Sequence, residues 1–522
     1  MKELPIGIQD FEVLRSGDHL YVDKTKAIMP LLRGRKIVFL SRPRRFGKSL
    51  LLSTLQYLFQ GRKDLFEGLY IYDKIDWVKY PVIRLDFSQL TYQKGIEAFE
   101  EAIQDSLELQ ANVYGLDLPK ARTVTTYFVR LINHLYLKTS KRVVLLIDEY
   151  DKPIVDLWEQ EQNSKENQEL LAGLFGAIKG LDSYLKFVMF TGITKVAKLS
   201  LFSKLNNVRD ISLDPTYNTL LGITQPELES SFQAYFPLLQ QRLSLTRQEL
   251  LKELKTWYNG YSWTGEQKVY NPFGLLHVME EKGFSRYWFS SGTPNFLINR
   301  LKDAPLAIEQ FEHIQGVFLD EQEDNWRQTP IITLLFQTGY LTITNTQYDT
   351  FGRTYTLSYP NNEVRLAFMN KLLKVFSNNQ AASMYSAISK LKASLVAEDM
   401  PTFINVLKTF YAQIPYHLHV KAERLYHALF LAFMKMLGMD AEGEVLTNMG
   451  RIDSVIKLQK QIYIIEFKYA PKGTPLTPIV EKALQQIEAK QYAQKYQSDI
   501  RKLLYMGIAF DGSEIAGKLV IP

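Results

Sequence analysis

The 522-residue sequence contains no cysteine, which excludes disulfides and thiolate metal sites and fits a reducing cytoplasm. It also lacks a long apolar run. The most hydrophobic stretch, Ala428 to Met439, is interrupted by Lys435 and is too short to span a bilayer. Its first residues, Met1-Lys2-Glu3-Leu4-Pro5, lack the apolar centre of a secretory leader. Internal repeats and low-complexity segments are missing, and the seven histidines show no metal-ligand spacing. A cytoplasmic protein with no membrane partner is expected.

What is present is the composition of a folded protein, with 46% hydrophobic and 23% charged residues. The chain is too long for one ordinary core, so two to four domains are expected. A formal net charge of +6 is mild, but its distribution is uneven. From Lys24 to Lys63 no acidic residue occurs, while Arg33, Arg35, Lys36, Arg42, Arg44, Arg45, Lys48 and Arg62 do. That run suits a polyanion better than a merely solvated face.

Apolar runs of strand length at Ile37 to Leu40, Val82 to Phe87, Val143 to Ile147 and Phe187 to Thr191 alternate with amphipathic helical stretches. Such alternation predicts a parallel sheet covered on both faces over residues 1–221. Residues 222–320 read as helical, and 321–378 as helix, hairpin, helix, a winged-helix-like module. A helical spacer covers 379–420. A compact mixed α/β unit covers 421–522, with a helix from Lys421 to Leu437 ahead of its strands.

A phosphate-binding loop needs converging backbone N–H groups, a helix N-terminus, a lysine and a hydroxyl for magnesium. Strand Ile37 to Leu40 leads into Arg42-Pro43-Arg44-Arg45-Phe46-Gly47-Lys48-Ser49, which opens a helix and supplies all four. The usual G-x-x-x-x-G-K-[ST] pattern is matched at Gly47, Lys48 and Ser49, with Arg42 at the first glycine position. The apolar strand Val143 to Ile147 ends in Asp148-Glu149, where open α/β sheets bind ligands. ATP and magnesium are the expected ligands. Lys48 then neutralises the β and γ phosphates, Ser49 ligates the metal, Asp148 orients its water shell and Glu149 is the base for attacking water. Thr191 or Thr194 is the candidate γ-phosphate sensor. Arg209 is a candidate phosphate contact, in cis or across a subunit interface.

A second constellation lies near the C-terminus. Glu466 and Lys468, two apart on the strand Gln461 to Lys468, share a face, and a tight connection through Lys457 to Lys460 can bring Asp453 beside Glu466. Acids that hold a divalent ion next to a cation are what phosphodiester hydrolysis requires. Taken alone, Glu-x-Lys also fits a structural ion pair.

Leu4-Pro5-Ile6-Gly7, Tyr21-Val22-Asp23-Lys24-Thr25, the Arg42 to Ser49 loop and Asp148-Glu149-Tyr150-Asp151 resemble the AAA-ATPase-like family found in gut and oral bacteria. Thr191-Gly192-Ile193-Thr194, Asn206-Asn207-Val208-Arg209-Asp210, Trp257-Tyr258-Asn259-Gly260-Tyr261 and Phe336-Gln337-Thr338-Gly339-Tyr340-Leu341 match as well. Members of that family share the arginine at the position of Arg42 and typically carry a C-terminal PD-(D/E)XK nuclease domain. The terminal unit of this chain resembles that domain. The resemblance implies an α/β multidomain protein: an AAA-type P-loop ATPase with parallel sheet, helical lid and winged-helix-like module, then a restriction-endonuclease-like domain. It further implies that Asp453 and Glu466 hold magnesium or manganese, that Lys468 positions or activates water, and that Glu423 and Gln486 complete the site.

The expected function is an ATP-driven or ATP-gated nuclease acting on nucleic acid, DNA favoured over RNA. The alternative is a nucleotide-dependent switch or scaffold whose nuclease-like domain binds without cutting. Both a monomer and a homo-oligomer stay open.

Overall fold

In a computed structural model of the chain, the described residues are 1–195, 201–202, 205, 207–290, 297, 300, 313–319, 326–350, 352–376, 390–411, 430–431, 434, 439–447, 450–511 and 514–522. They form two compact units, the described residues up to 365 and those from 366 to 522.

The first unit is built on a five-stranded sheet of β1 (Ile37–Ser41), β2 (Val82–Asp86), β3 (Val143–Asp148), β4 (Leu185–Gly192) and β5 (Arg209–Asp210). The spatial order is β2-β3-β4-β1-β5 and every pairing is parallel. β1 and β3 are buried at every position, as strands covered on both faces must be. The four apolar runs become strands in place. β5 has only two residues and carries no periodicity that a sequence could reveal. The longer helices here are α1 (Phe11–Ser16), α2 (Thr25–Arg33), α3 (Lys48–Phe59), α4 (Ile96–Val113), α5 (Val124–Thr139) and α6 (Glu161–Gly176), with one further turn of helix at Lys152–Val155. The buried faces of α2 and α3 share one core with β1 and β3.

Four helices then cluster around a second core: α7 (Gln225–Ser231), α8 (Phe236–Leu243), α9 (Arg247–Tyr258) and α10 (Pro272–Glu281). Thr224 with Glu227 and Thr246 with Glu249 close capping boxes that fix where α7 and α9 begin. After α11 (Tyr287–Ser290) the chain departs from the helical expectation. β6 (Ile314–Val317) is a strand, and it joins β7 (Thr342–Asp349) and β8 (Gly352–Ser358) in the antiparallel order β6-β8-β7. α12 (Ile331–Gln337) precedes this hairpin and α13 (Asn362–Phe376) follows it. The division between the units falls within α13.

The second unit contains α14 (Met400–Tyr411) and a mixed sheet of β9 (Asp440–Thr447), β10 (Gly450–Lys457), β11 (Gln461–Tyr469), β12 (Lys502–Phe510) and β13 (Ile515–Val520). β9, β10 and β11 form an antiparallel meander. α15 (Leu476–Ala489) then crosses over so that β12 pairs parallel to β11, and β13 closes the order β13-β12-β11-β10-β9. The helix expected at Lys421 to Leu437 lies largely outside the described residues. Among the described residues no helix is long and apolar enough to cross a membrane.

Candidate active sites

β1 stops at Ser41 and the chain turns through residues 42–47 into α3. The turn needs two left-handed residues, Arg45 (φ 64°) and Gly47 (φ 91°). No side chain caps α3 and no acid occupies its first turn, so its N–H groups stay open to an anion. Arg44, Arg45, Gly47, Lys48 and Ser49 line a cleft of about 350 Å³. The Lys48 ammonium is buried, donates to the carbonyls of Arg42 (3.1 Å) and Pro43 (3.3 Å), and lies 3.5 Å from Glu149 Oε1.

β3 delivers Asp148 beneath the cleft, buried and close to Ser49 and Lys48, without lining it. Thr191 on neighbouring β4 donates its hydroxyl to Asp148 Oδ1 at 2.5 Å. Asp148 Oδ2 is buried and has no hydrogen-bond partner among the described residues. Burial and the adjacent Glu149 raise the Asp148 pKa, opposed by Ser49, Thr191 and Lys48. An orphaned carboxylate oxygen beside a serine hydroxyl fits a hydrated magnesium ion. Glu149 follows in left-handed backbone (φ 51°), a conformation that costs about 1–2 kcal/mol for a residue with a Cβ, and it lines the cleft. Thr194 also lines the cleft, but its N–H and hydroxyl are held by Asp151 Oδ2 at 2.8 and 2.7 Å. Gly192 permits this packing, because a Cβ there would lie 2.6 Å from Asp151 Oδ1 and from the Tyr150 ring.

Three of the loop positions point elsewhere. The Arg42 side chain is fully buried, donates to the carbonyls of Ser41, Ser212 and Tyr217, and stacks on Trp263 at 3.8 Å. The structure therefore corrects its placement among side chains that face a phosphate: Arg42 braces the loop from inside, and burial pushes its pKa down to about 9. Phe46 packs edge-on to Tyr261 and Trp263 at 4.8 and 5.4 Å, and Pro43 lies against Gly339. Arg209 does not reach the cleft either. It pairs with Asp214 at 2.6 Å on the edge strand. The opposite wall, Pro5, Gly7, Ile8, Gln9, Phe273 and Leu276, has no chemical signature in the sequence. Only the match of Leu4-Pro5-Ile6-Gly7 to a family hinted at it.

In the second unit, Ser454 pairs with Ile465 and the ladder ends there, which places Asp453 opposite Glu466. The N–H of Phe467 donates to Asp453 Oδ2 at 2.8 Å. Glu466 is almost completely buried. Its Oε1 accepts from Lys468 Nζ (2.8 Å) and from Gln486 Nε2 on α15, while Oε2 has no hydrogen-bond partner among the described residues. Burial first, then the Asp453 charge, drives the Glu466 carboxyl up to about 7 against the pull of Lys468. Asp453, Glu466, Lys468 and Gln486 are thus brought together, and the orphaned Oε2 fits a divalent cation. Glu423 lies outside the described residues. Among the described residues no cluster of three His, Cys, Asp or Glu side chains is arranged to hold a metal.

Residues 5–202 match the model of a predicted AAA-ATPase family, and residues 421–518 match a PD-(D/E)XK nuclease superfamily model. An uncharacterized protein in the vnfD 5′ region of Azotobacter chroococcum mcd 1 is 36% identical over 530 residues, covering 99% of each chain. Among solved structures, the Aeropyrum pernix ORC1 protein in complex with DNA aligns at a TM-score of 0.24 and 12% identity, over 67% of this chain and 90% of that one.

Proposed function

The chain belongs to the predicted AAA-ATPase family and carries a domain of the PD-(D/E)XK nuclease superfamily, and on that basis we propose an ATP-hydrolysing, nucleic-acid-cleaving protein of the cytoplasm. One observation supports both halves. In each unit a buried carboxylate oxygen, Asp148 Oδ2 or Glu466 Oε2, has no hydrogen-bond partner among the described residues and sits near a lysine.

At the first site the α3 N-terminus, Arg44, Arg45 and Lys48 bind the triphosphate, and Ile8, Phe273 and Leu276 offer an apolar wall to the base. Glu149 takes the proton of the attacking water. Thr194 or Thr191 reports the γ-phosphate through the hydrogen bonds each already makes to an acid of β3 or its following turn. At the second site Gln486 and Lys468 hold Glu466 Oε1, and Lys468 orients the water that attacks the scissile phosphate, in DNA before RNA. Ser49 and Asp148 at one site, and Asp453 and Glu466 at the other, would hold magnesium (or manganese at the second), and the ion would supply charge neutralisation at phosphate oxygens and a more acidic water.

The test is a cleavage assay over single- and double-stranded DNA and RNA, with magnesium or manganese, with and without ATP. Metal-dependent cleavage is expected. Binding without cleavage by the intact chain would replace the nuclease with a nucleotide-dependent scaffold.

A further inference from the structure

The phosphate loop is gripped from behind by residues that belong to neither active site. Trp288 donates its indole N–H to the Arg44 carbonyl at 3.0 Å. Gly339, at the base of the β7–β8 hairpin, lies so close that a Cβ would come within 2.6 Å of Pro43 Cβ. Trp288 is fixed in turn by Glu363, whose Oε1 accepts the Trp288 backbone N–H at 2.6 Å. Glu363 stands in the first turn of α13, the helix within which the two units divide.

Glu363 is fully buried, and its Oε2 has no hydrogen-bond partner among the described residues. The hydroxyl of Tyr261, whose ring packs on Phe46, has none either. A Cβ on Gly274 of α10 would lie 3.0 Å from the orphaned oxygen, so Glu363 also reaches the helix whose Phe273 and Leu276 wall the cleft. A buried acid with an unmet oxygen is costly, and an apolar side chain would fill the same space without that cost. Burial keeps this one largely neutral, its pKa pushed up to about 8.

Peptide geometry gives the contact a consequence. In a trans peptide the C=O and the following N–H point in opposite directions. Pinning the Arg44 carbonyl to Trp288 therefore aims the Arg45 N–H away from Trp288, on the side where Arg45 lines the cleft. With Arg45 in left-handed backbone, this is the arrangement in which successive N–H groups form an anion nest.

We propose that Trp288 and Glu363 are positioning residues for the phosphate loop, coupling nucleotide in the cleft to the start of α13. This rests on the nucleotide reading above. A bound triphosphate that orders the loop must, by linkage, also order the Trp288–Glu363 contact, and loosening α13 must weaken nucleotide binding by the same factor.

The experiment uses the full chain, with magnesium–ADP and a non-hydrolysable magnesium–ATP analogue as probes. It follows nucleotide affinity and amide hydrogen exchange across residues 359–371. In the wild type, nucleotide should slow exchange at the start of α13. Trp288→Phe keeps a ring but loses the N–H, and should weaken binding by roughly 2- to 13-fold and abolish the nucleotide-dependent protection. Glu363→Gln retains an acceptor and should preserve both affinity and protection, whereas Glu363→Leu should lose both. That contrast, rescue by the isosteric amide, would not arise from a merely packed residue. Should Trp288→Phe not fold, the Glu363 pair decides alone. Nucleotide bound with no change in α13 exchange, or with equal affinity in Glu363→Leu, would overturn the coupling and leave the cleft assignment standing. A wild type that binds no nucleotide overturns both.

Discussion

The two acid–lysine sites are assembled over very different distances. Lys48 and Asp148 belong to segments far apart in the chain and meet because β1 and β3 lie in one parallel sheet with β4 between them. Glu466 and Lys468 are two residues apart on β11 and would share a face in any strand. The local pair nevertheless depends on tertiary structure for its chemistry. Glu466 is hydrogen-bonded directly to a lysine, yet burial and Asp453 still lift its pKa to about 7. Desolvation outweighs a bonded cation there. At the first site Lys48 divides itself between two loop carbonyls and Glu149, and the Asp148 pKa likewise remains raised. Proximity of opposite charges does not ionise a buried acid by itself; a divalent ion on the orphaned oxygen would.

The largest expected effects separate the two sites. Lys48→Ala should lower ATP turnover by about 100-fold or more while sparing metal-dependent cleavage assayed without ATP, and Asp453→Ala should do the reverse. Loss of both activities in either single variant would merge the sites into one functional unit. Glu149→Gln should cost ~100-fold or more in ATP turnover, with nucleotide affinity held within about threefold in a binding titration. Unchanged turnover would remove Glu149 as the base.

A subtler contrast concerns pH. Glu466 rises from 4.5 unfolded to about 7 folded, so between those values the native state keeps a proton that the unfolded chain releases. Stability from this group is therefore intact below about 4.5 and lost as pH rises through about 7. Glu466→Gln should be more stable than wild type at pH 8, by at most ~3 kcal/mol, and equally stable at pH 4 in denaturant unfolding. Magnesium binding to the second unit should weaken about tenfold per pH unit below about 7, which calorimetry would read.

Smaller effects test the packing around the first site. Gly192→Ala forces a methyl into Asp151 and Tyr150 and should cost about 1–3 kcal/mol in denaturant unfolding. Arg209→Ala should change ATP turnover by less than about threefold, because Asp214 already holds that guanidinium. A loss above about 50-fold would place Arg209 across a subunit interface.

Much of this was legible in the chain. Apolar runs bounded by turns marked β1 to β4, and the sharp change from Ile147 to Asp148-Glu149 marked a strand end. The period of two placed Glu466 beside Lys468, and the short connection placed Asp453 opposite. Other features left no local signal. β5 is two residues long, β6 lies in a stretch that reads as helical, and β13 comes after the last expected strand. Arg42 falls within the loop expected to bind nucleotide, at the position usually held by glycine. Its side chain turns inward because Trp263, more than two hundred positions onward, supplies an aromatic face that no reading of the loop alone contains.

The order of residues by itself determined which segments become strands, where the phosphate loop opens a helix, and which acid and lysine share a strand face. These follow from side-chain period and backbone chemistry within a few residues. Tertiary structure alone decided which loop arginines face the cleft, that the Glu466 carboxyl is held above its ordinary pKa, and that Glu363 reaches the phosphate loop through Trp288. Those outcomes depend on burial and on partners distant in sequence, and desolvation has no value until the surrounding elements have closed around a group.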